Sequence, residues 1–158
     1  MPMIRAMVSL CFLMISLQAH AVAFCELKWP MASGKTKVRR IRVTEAVDIY
    51  AFPDGKASAD EGAVTNYVNA HRKPGKVYDY SEEGIKNIME ALDGTLIFTV
   101  VVDESGKNLL STELYRYDRV KSPQSGAIPL RLRVNHDNRK RLSIIHSQTG
   151  AKLFCVAE

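Results

Sequence analysis

The second half of the chain consists of short apolar or alternating segments separated by turns. From Thr95 onward these segments are TLIFTVVVD, NLLSTELYRYDRV, IPLRLRVN, KRLSIIH and AKLFCVAE. They are rich in β-branched and aromatic residues and are bounded by turn residues, which is the pattern of strands. Parallel strands would need crossover connections of a dozen or more residues, and these turns are too short to supply them. The pattern therefore predicts an antiparallel sheet.

A further strand precedes this region. The segment KVRRIRVTEAVDIYA alternates, so that Ile41, Val43, Val47 and Ile49 fall on one face. This two-residue period predicts a half-buried strand that bends around residue 45. In the later segment IPLRLRVN, Pro129 cannot donate a backbone hydrogen bond. We therefore expect a free strand edge at Pro129, through which a homodimer would be able to form.

Two helices are predicted between the first strand and the sheet region. An S-x-x-E capping box at Ser58–Glu61 predicts the start of the first helix, and Ser81 caps the second. Apolar residues at helical spacing are Val64, Tyr67, Val68 and His71 in the first, and Ile85, Ile88, Met89 and Leu92 in the second. The order of elements predicts an α+β fold, in which an antiparallel sheet of about five to six strands has two helices packed on one face.

Residues 1–23 have the organisation of a secretory signal peptide. Arg5 provides the positive charge, residues 6–17 form a short apolar stretch, and two A-x-A motifs place cleavage near Ala21 or Ala23. The apolar stretch is shorter than the roughly 18–20 residues that a membrane-spanning helix requires. We therefore expect a cleaved leader over residues 1–23, a single α+β domain over residues 24–158, and a periplasmic or secreted bacterial protein without a transmembrane segment.

The cysteine count becomes even when the leader is removed, because Cys11 lies within it. Cys25 and Cys155 then face an oxidising compartment, where a disulfide is the expected state. In the chain-entropy model a bond that closes nearly the whole mature chain is worth about 5 kcal/mol. The predicted disulfide pins the last strand to the mature N-terminus, so neither cysteine is a candidate nucleophile.

The sequence contains no strong catalytic or metal-binding motif. His71 lies on an apolar helix stripe, and no histidine belongs to an H-x-x-x-H motif. No G-x-S-x-G, S-x-x-K or glycine-rich phosphate loop occurs. We therefore predict neither a metal nor a cofactor, and a binding protein is favoured over an enzyme. An enzyme would have to pair His146 or His136 with a carboxylate such as Asp118 or Asp137.

Two stretches are candidates for partner binding. Five cations occur within residues 131–141, and Arg39, Arg40 and Arg42 form a second cluster. If their strands are neighbours, they form a cationic surface on the outer face of the sheet; the alternative is a solvated face. The loop 121–127 follows two tyrosines, and tyrosine and arginine dominate binding hot spots. The candidate partner-binding residues are Tyr115, Tyr117, Lys121, Ser122, Gln124, Ser125, Arg131, Arg133, Arg139 and Arg141.

These features favour a small exported binding protein. The formal charge of +5 falls to +4 when Arg5 leaves with the leader, which favours an acidic protein surface or cleft as partner and does not imply nucleic acid. The first hypothesis is a periplasmic binding or inhibitory protein, such as an immunity or antagonist protein that occupies an envelope-acting toxin or hydrolase. The alternatives are an envelope enzyme with a His/carboxylate site, and a carrier that holds a small apolar ligand between the second helix and the sheet.

Overall fold

The structure, a computed structural model, describes residues 23–31, 33–44, 46–103, 108–121, 126–137 and 139–157. Within these ranges the strands are β1 (Ala23–Pro30), β2 (Thr36–Val43), β3 (Val47–Ala51), β4 (Ala57–Ser58), β5 (Leu96–Val102), β6 (Leu109–Tyr117), β7 (Ala127–Pro129), β8 (Arg133–Asp137), β9 (Arg141–His146) and β10 (Ala151–Ala157). The helices are α1 (Ala63–Ala70) and α2 (Glu82–Leu92). Apart from Ala23, the predicted signal peptide lies outside the described residues.

The strands form two antiparallel sheets of five strands each. The first sheet has the order β2-β1-β10-β9-β8, and the second has the order β4-β3-β5-β6-β7. The α+β class and the antiparallel pairing predicted from the sequence are confirmed. The alternation predicts one sheet of five to six strands, whereas the structure has two, because two segments that read as single strands each contribute to both sheets.

Each of these segments changes sheet at a bend. β2 pairs with β1 in the first sheet, and β3 pairs with β5 in the second. In the same way β7 pairs with β6 in the second sheet, and β8 pairs with β9 in the first. Since β1 also pairs with β10, the strand pairings run around the molecule in chain order, with β4 attached to the side of β3. The two sheets are therefore opposite sides of one closed arrangement.

One apolar core lies between the two sheets. Every second residue of β5 and of β10 is buried, because successive side chains of a strand point to opposite faces. Phe98, Leu27 and Ile144 are among the largest fully buried side chains. Burial of one such side chain contributes roughly 1.5–3 kcal/mol. The core contains residues of β1, β2, β3, β5, β6, β9 and β10, so it holds both sheets together.

The predicted disulfide between Cys25 and Cys155 is present. The two residues lie directly opposite each other on β1 and β10, with their Cα atoms 4.1 Å apart. Both side chains belong to the buried core, and the bond joins residues 130 positions apart in the sequence. The last described strand is thus pinned to the first one, as the sequence predicts.

The two helices differ in how well the sequence predicts their starts. Ser81 caps α2 as predicted, because its hydroxyl accepts a hydrogen bond from the backbone N–H of Gly84 at 3.1 Å. The predicted capping box at Ser58–Glu61 is wrong. Ser58 lies on β4, and its hydroxyl accepts a hydrogen bond from the backbone N–H of Asp60 at 3.1 Å. A serine that bonds two residues along the chain forms a local turn, which delays the start of the helix.

A second, smaller apolar cluster joins the helices to the second sheet. Its buried members are Phe52, Ala63, Val68 and Leu92. Tyr50 of β3 and Tyr117 of β6 pack against this cluster. The ring of Phe52 stacks on that of Tyr67 in α1, with centroids 4.4 Å apart. The cluster anchors the helical region to β3 and β6, while the packing of both helices on one face stays a prediction.

Removal of the disulfide should destabilise the fold strongly. Replacement of Cys25 and Cys155 together by alanine is expected to lower the free energy of unfolding by about 2–5 kcal/mol, since the unfolded chain regains the freedom that the bond removes. Denaturant unfolding of the oxidised protein and of the double variant measures the difference. Equal unfolding midpoints, or two titratable thiols in the native oxidised protein, would contradict the assignment.

Gly84 is a second test of the packing, because a side chain there would overlap the backbone of Asp79. Alanine is normally the better helix former, yet Gly84→Ala should destabilise the protein by about 1–3 kcal/mol through overpacking. Gly62→Ala is the matched control, since its nearest contact is the Asn66 side chain at 3.7 Å. That change should stay within about 0.5 kcal/mol in the same unfolding measurement. A Gly84 variant as stable as the control would show that this close approach is wrong.

Candidate functional site

The first sheet has an outer side formed by the residues that alternate with its core positions. We call this surface the apolar–basic face. Its members are Val38, Arg40 and Arg42 on β2, Phe24, Glu26 and Lys28 on β1, Lys152, Phe154 and Val156 on β10, Arg141, Ser143 and Ile145 on β9, and Arg133 and Asn135 on β8.

Four large apolar side chains are exposed on this face. Phe24 and Phe154 are each 47% exposed, Val38 is 44% exposed and Ile145 is 40% exposed. Phe24, Phe154 and Ile145 lie on a diagonal across β1, β10 and β9 and form an apolar band, whereas Val38 on β2 is opposite Lys28 and is separated from them by charged residues. Single exposed apolar residues are ordinary, but a group of them on one face of a sheet is typical of an interaction site.

Cationic side chains border this apolar band. Six of the face residues are arginine or lysine, and every strand of the sheet contributes at least one. The guanidinium of Arg42 lies 5.9 Å from the centroid of the Phe24 ring, which is within the range of a cation–π attraction. Glu26 contacts Lys28 at 3.4 Å and Arg40 at 3.5 Å. β8 also contains Asp137, which is opposite Arg141 in the register.

The charges of the whole chain are segregated in the same way. Residues 23–43 and 131–157, which form the first sheet and its turns, contain twelve lysines and arginines and two acidic residues, a formal charge of +10. Residues 44–130 contain nine basic and fourteen acidic residues, a formal charge of −5. The net charge of the chain is therefore modest because the strongly positive first sheet is offset by the acidic residues 44–130. A positive field of this kind attracts acidic partners to the first sheet.

The structure separates the predicted partner-binding residues into two groups. Arg133 and Arg141 lie on the apolar–basic face, and exposed Arg139 lies in the turn between β8 and β9. Arg131 is exposed where the chain passes from β7 to β8. The other group belongs to the second sheet, with Tyr115 and Tyr117 on β6 and Lys121 in the turn after it. Ser122, Gln124 and Ser125 lie outside the described residues.

The two arginine clusters also differ from the expected arrangement. Arg40 and Arg42 are on β2 at one edge of the first sheet, whereas Arg133 is on β8 at the other edge. They are not neighbours, because β1, β10 and β9 lie between them. Lys28 and Lys152 of those central strands continue the positive charge across the sheet. The cationic surface therefore spans the whole sheet and not one hairpin.

The tyrosines of β6 have local partners. The hydroxyl of Tyr115 donates a hydrogen bond to the carboxylate of Glu113, and this bond raises the pKa of Tyr115. Burial raises the pKa of Tyr117, and the nearby charge of Asp48 adds to the effect. Since Tyr117 packs against the helix cluster, its position is explained by packing.

Phe24 and Phe154 are missed by reasoning from charge clusters alone. The signal that would have found them is the alternation around each cysteine. Once Cys25 and Cys155 point into the core, the phenylalanine beside each one has to point outward. Both are adjacent to their cysteine in the sequence, in AFCELKWP and AKLFCVA.

The described histidines have structural partners. His71 stacks on Tyr67 with centroids 4.0 Å apart, and its Nδ1–H donates to the Tyr67 carbonyl at 2.8 Å. The Nε2 atom of His71 is 3.7 Å from the Asp54 carboxylate. His146 is buried, and its Nδ1 accepts a hydrogen bond from the backbone N–H of Thr149 at 3.2 Å and contacts the Thr149 hydroxyl at 2.7 Å.

The carboxylate proposed to work with His146 is engaged elsewhere. Asp118 accepts hydrogen bonds from the backbone N–H groups of Val120 and Lys121, each at 3.0 Å. These bonds lower the pKa of Asp118, with the bond from Lys121 the larger cause. The side chains of His136 and Asp137 lie outside the described part of the structure. Among the described residues, no group of three or more His, Cys, Asp or Glu side chains is arranged to hold a metal ion.

Two clefts lie away from the apolar–basic face. One is at the end of the sandwich where β1, β3 and β6 finish, and has a volume of about 380 Å³. The other lies between α1 and the β3–β4 turn and has a volume of about 350 Å³, with Phe52, Tyr67 and His71 among its lining residues. Both are within the size range of small-molecule sites.

Comparison of the chain with family models, curated proteins and solved structures found no match. No helix in the described residues is long and apolar enough to cross a membrane.

One electrostatic contact on the acidic side of the molecule predicts a pH effect. The ammonium groups of Lys73 and Lys76 donate to the Glu90 carboxylate at 2.9 and 3.0 Å and lower the pKa of Glu90 to about 2. Because the pKa is lower in the folded state, this contribution to stability is present above the ordinary pKa of 4.5 and is lost as the pH falls through about 2. Glu90→Gln should therefore lower the unfolding midpoint at pH 7 and lose its effect toward pH 2.

The matched control for this prediction is Glu83→Gln on the same helix, because no described salt bridge includes Glu83. At pH 7 it should show a smaller difference from the wild type than Glu90→Gln does. The Glu90 carboxyl carbon, followed by NMR, should titrate near pH 2. A titration midpoint near 4.5 would show that neither lysine lowers the pKa of Glu90.

Proposed function

We propose that this protein is a small exported binding protein that docks an acidic protein on its apolar–basic face. Inhibition of an envelope-acting toxin or hydrolase is the role that we favour for such binding. The observation that carries the proposal is the diagonal band of exposed Phe24, Phe154 and Ile145, bordered by cations on a sheet with a formal charge of +10.

The composition of the face suits a protein partner. Interfaces combine an apolar centre with a polar rim, and aromatic residues and arginine are enriched in them. Four of the six cations are arginines, whose planar guanidinium groups bind carboxylates in a bidentate manner. The cations would steer an acidic partner toward the face, and the apolar side chains would supply binding energy once water is excluded.

Two features support export. One is the leader-like segment over residues 1–23, and the other is the Cys25–Cys155 disulfide, which is of the kind that persists in an oxidising compartment.

Ala23 is fully buried in β1 and is paired with Ala157. Cleavage after Ala21 would keep this core residue, whereas cleavage after Ala23 would remove it. We therefore favour the site after Ala21.

The decisive experiment compares variants of the two predicted binding regions. The mature protein is used to capture a stoichiometric partner from the native envelope fraction, and its dissociation constant is then measured by calorimetry. We expect Arg133→Glu with Arg141→Glu, and separately Phe24→Ser with Phe154→Ser, to weaken binding at least about tenfold, or roughly 1.4 kcal/mol. Raising the salt concentration should weaken wild-type binding as well.

The matched control places the same kinds of change on the second sheet. Tyr115→Ser with Lys121→Glu alters an aromatic residue and a cation of the other predicted group. It should change the dissociation constant less than about threefold, and circular dichroism should show that all variants remain folded. Loss of binding only in the control would transfer the site to the 121–127 region. Unchanged binding in both face variants would overturn the proposal, and so would equal binding to phosphatidylglycerol vesicles without any protein partner.

A further inference from the structure

We propose that the cleft at the end of the sandwich is a binding site for a small amphiphilic carboxylate. The cleft lies where β1 and β3 end and β5 begins, and its volume is about 380 Å³. Mouths of closed β structures are common ligand sites, because the strand ends there diverge around a space that the core does not fill. This site is separate from the apolar–basic face.

The walls of the cleft are mostly apolar. Trp29, Phe52 and Leu96 line it together with Met31 and two prolines. Such a surface favours the alkyl or aryl part of a ligand, because apolar contact removes both surfaces from water. An apolar wall alone does not select a head group, so the head group has to be inferred from the polar atoms.

The indole N–H of Trp29 is the first of these polar atoms. Trp29 is only 2% exposed, and its Nε1 atom has no hydrogen-bond partner among the described residues. Buried polar groups are nearly always hydrogen-bonded, so an unpaired donor in the wall of a cleft needs an explanation. The nitrogen is buried beneath the cleft lining, so a ligand has to displace lining side chains before its acceptor group provides the missing partner.

Arg116 provides the charge. It lines the same cleft, and no salt bridge within the described part of the chain includes it, although its charge also contributes to the lowered pKa of Asp118. Asp93 also lines the cleft, but its carboxylate pairs with Arg119 at 3.7 Å and accepts the Arg119 backbone N–H at 2.9 Å. A guanidinium and an indole N–H are both pure donors. Their natural common ligand is a carboxylate.

The sole tryptophan makes this proposal directly testable, since the protein has one indole N–H resonance. The mature protein, labelled with ¹⁵N, is titrated with octanoate and separately with octan-1-ol, which has the same chain length and no charge. We expect octanoate to produce a saturable downfield shift of the indole proton, because the carboxylate accepts its hydrogen bond. Octan-1-ol should bind more weakly.

Two variants separate the role of Arg116 from general effects. Arg116→Gln should weaken octanoate binding about tenfold or more while leaving octan-1-ol binding nearly unchanged, since charge-assisted hydrogen bonds are the stronger ones. Arg131→Gln, a change of an exposed arginine that does not line the cleft, should change octanoate affinity less than about threefold. Circular dichroism of both variants confirms that they fold. Phe24→Ser with Phe154→Ser should bind octanoate normally, so the cleft is tested independently of the docking proposal.

Three outcomes would overturn the proposal. An indole resonance that does not move at saturating octanoate would show that Trp29 meets no ligand. Equal loss of octanoate and octan-1-ol binding in Arg116→Gln would show that the arginine acts only through packing. A folded Arg116→Gln protein that binds octanoate as tightly as the wild type would remove the head-group assignment.

Discussion

The structure depends on the pairing of β1 with β10 and on the disulfide that joins them. β1 lies between β2 and β10 in the first sheet, so it connects the beginning of the chain to its end. Cys25 and Cys155 face each other across that pairing and are buried in the core. This pairing closes the circuit of strands, and β9 and β10 contribute to the same buried core as β3 and β5. The disulfide therefore joins the first described strand to the last one and closes the whole fold.

Closure gives the molecule one interior and two different exteriors. The exterior of the second sheet is partly occupied, because Tyr50 and Tyr117 pack against the cluster of helical side chains. The exterior of the first sheet exposes Phe24 and Phe154 instead. The positive charges are concentrated on the sheet with these exposed rings, while the acidic residues are concentrated around the helices. Such an arrangement orients an acidic partner toward one side of the molecule.

The candidate site was only partly predictable. Arg133 and Arg141 are found from the density of charge, and they do lie on the apolar–basic face. Their grouping with Tyr115 and Tyr117 fails, because the bend between β7 and β8 moves the chain from one sheet to the other. Residues that are close together in the sequence therefore lie on different sheets. Conversely, Arg42 and Arg141 are about a hundred residues apart in sequence and lie on the same face, since both alternate with core residues of one sheet.

The sequence by itself determined the features that depend on short-range physics. The two-residue alternation assigned inward and outward side chains of the strands, Ser81 started α2, and the parity of cysteines paired Cys25 with Cys155. Tertiary structure alone decided how many sheets form, which strands are neighbours, and that Trp29 and Arg116 line one cleft. The physical reason is that alternation is set by each strand's own backbone, whereas neighbours are chosen by non-local pairing and burial of one shared core.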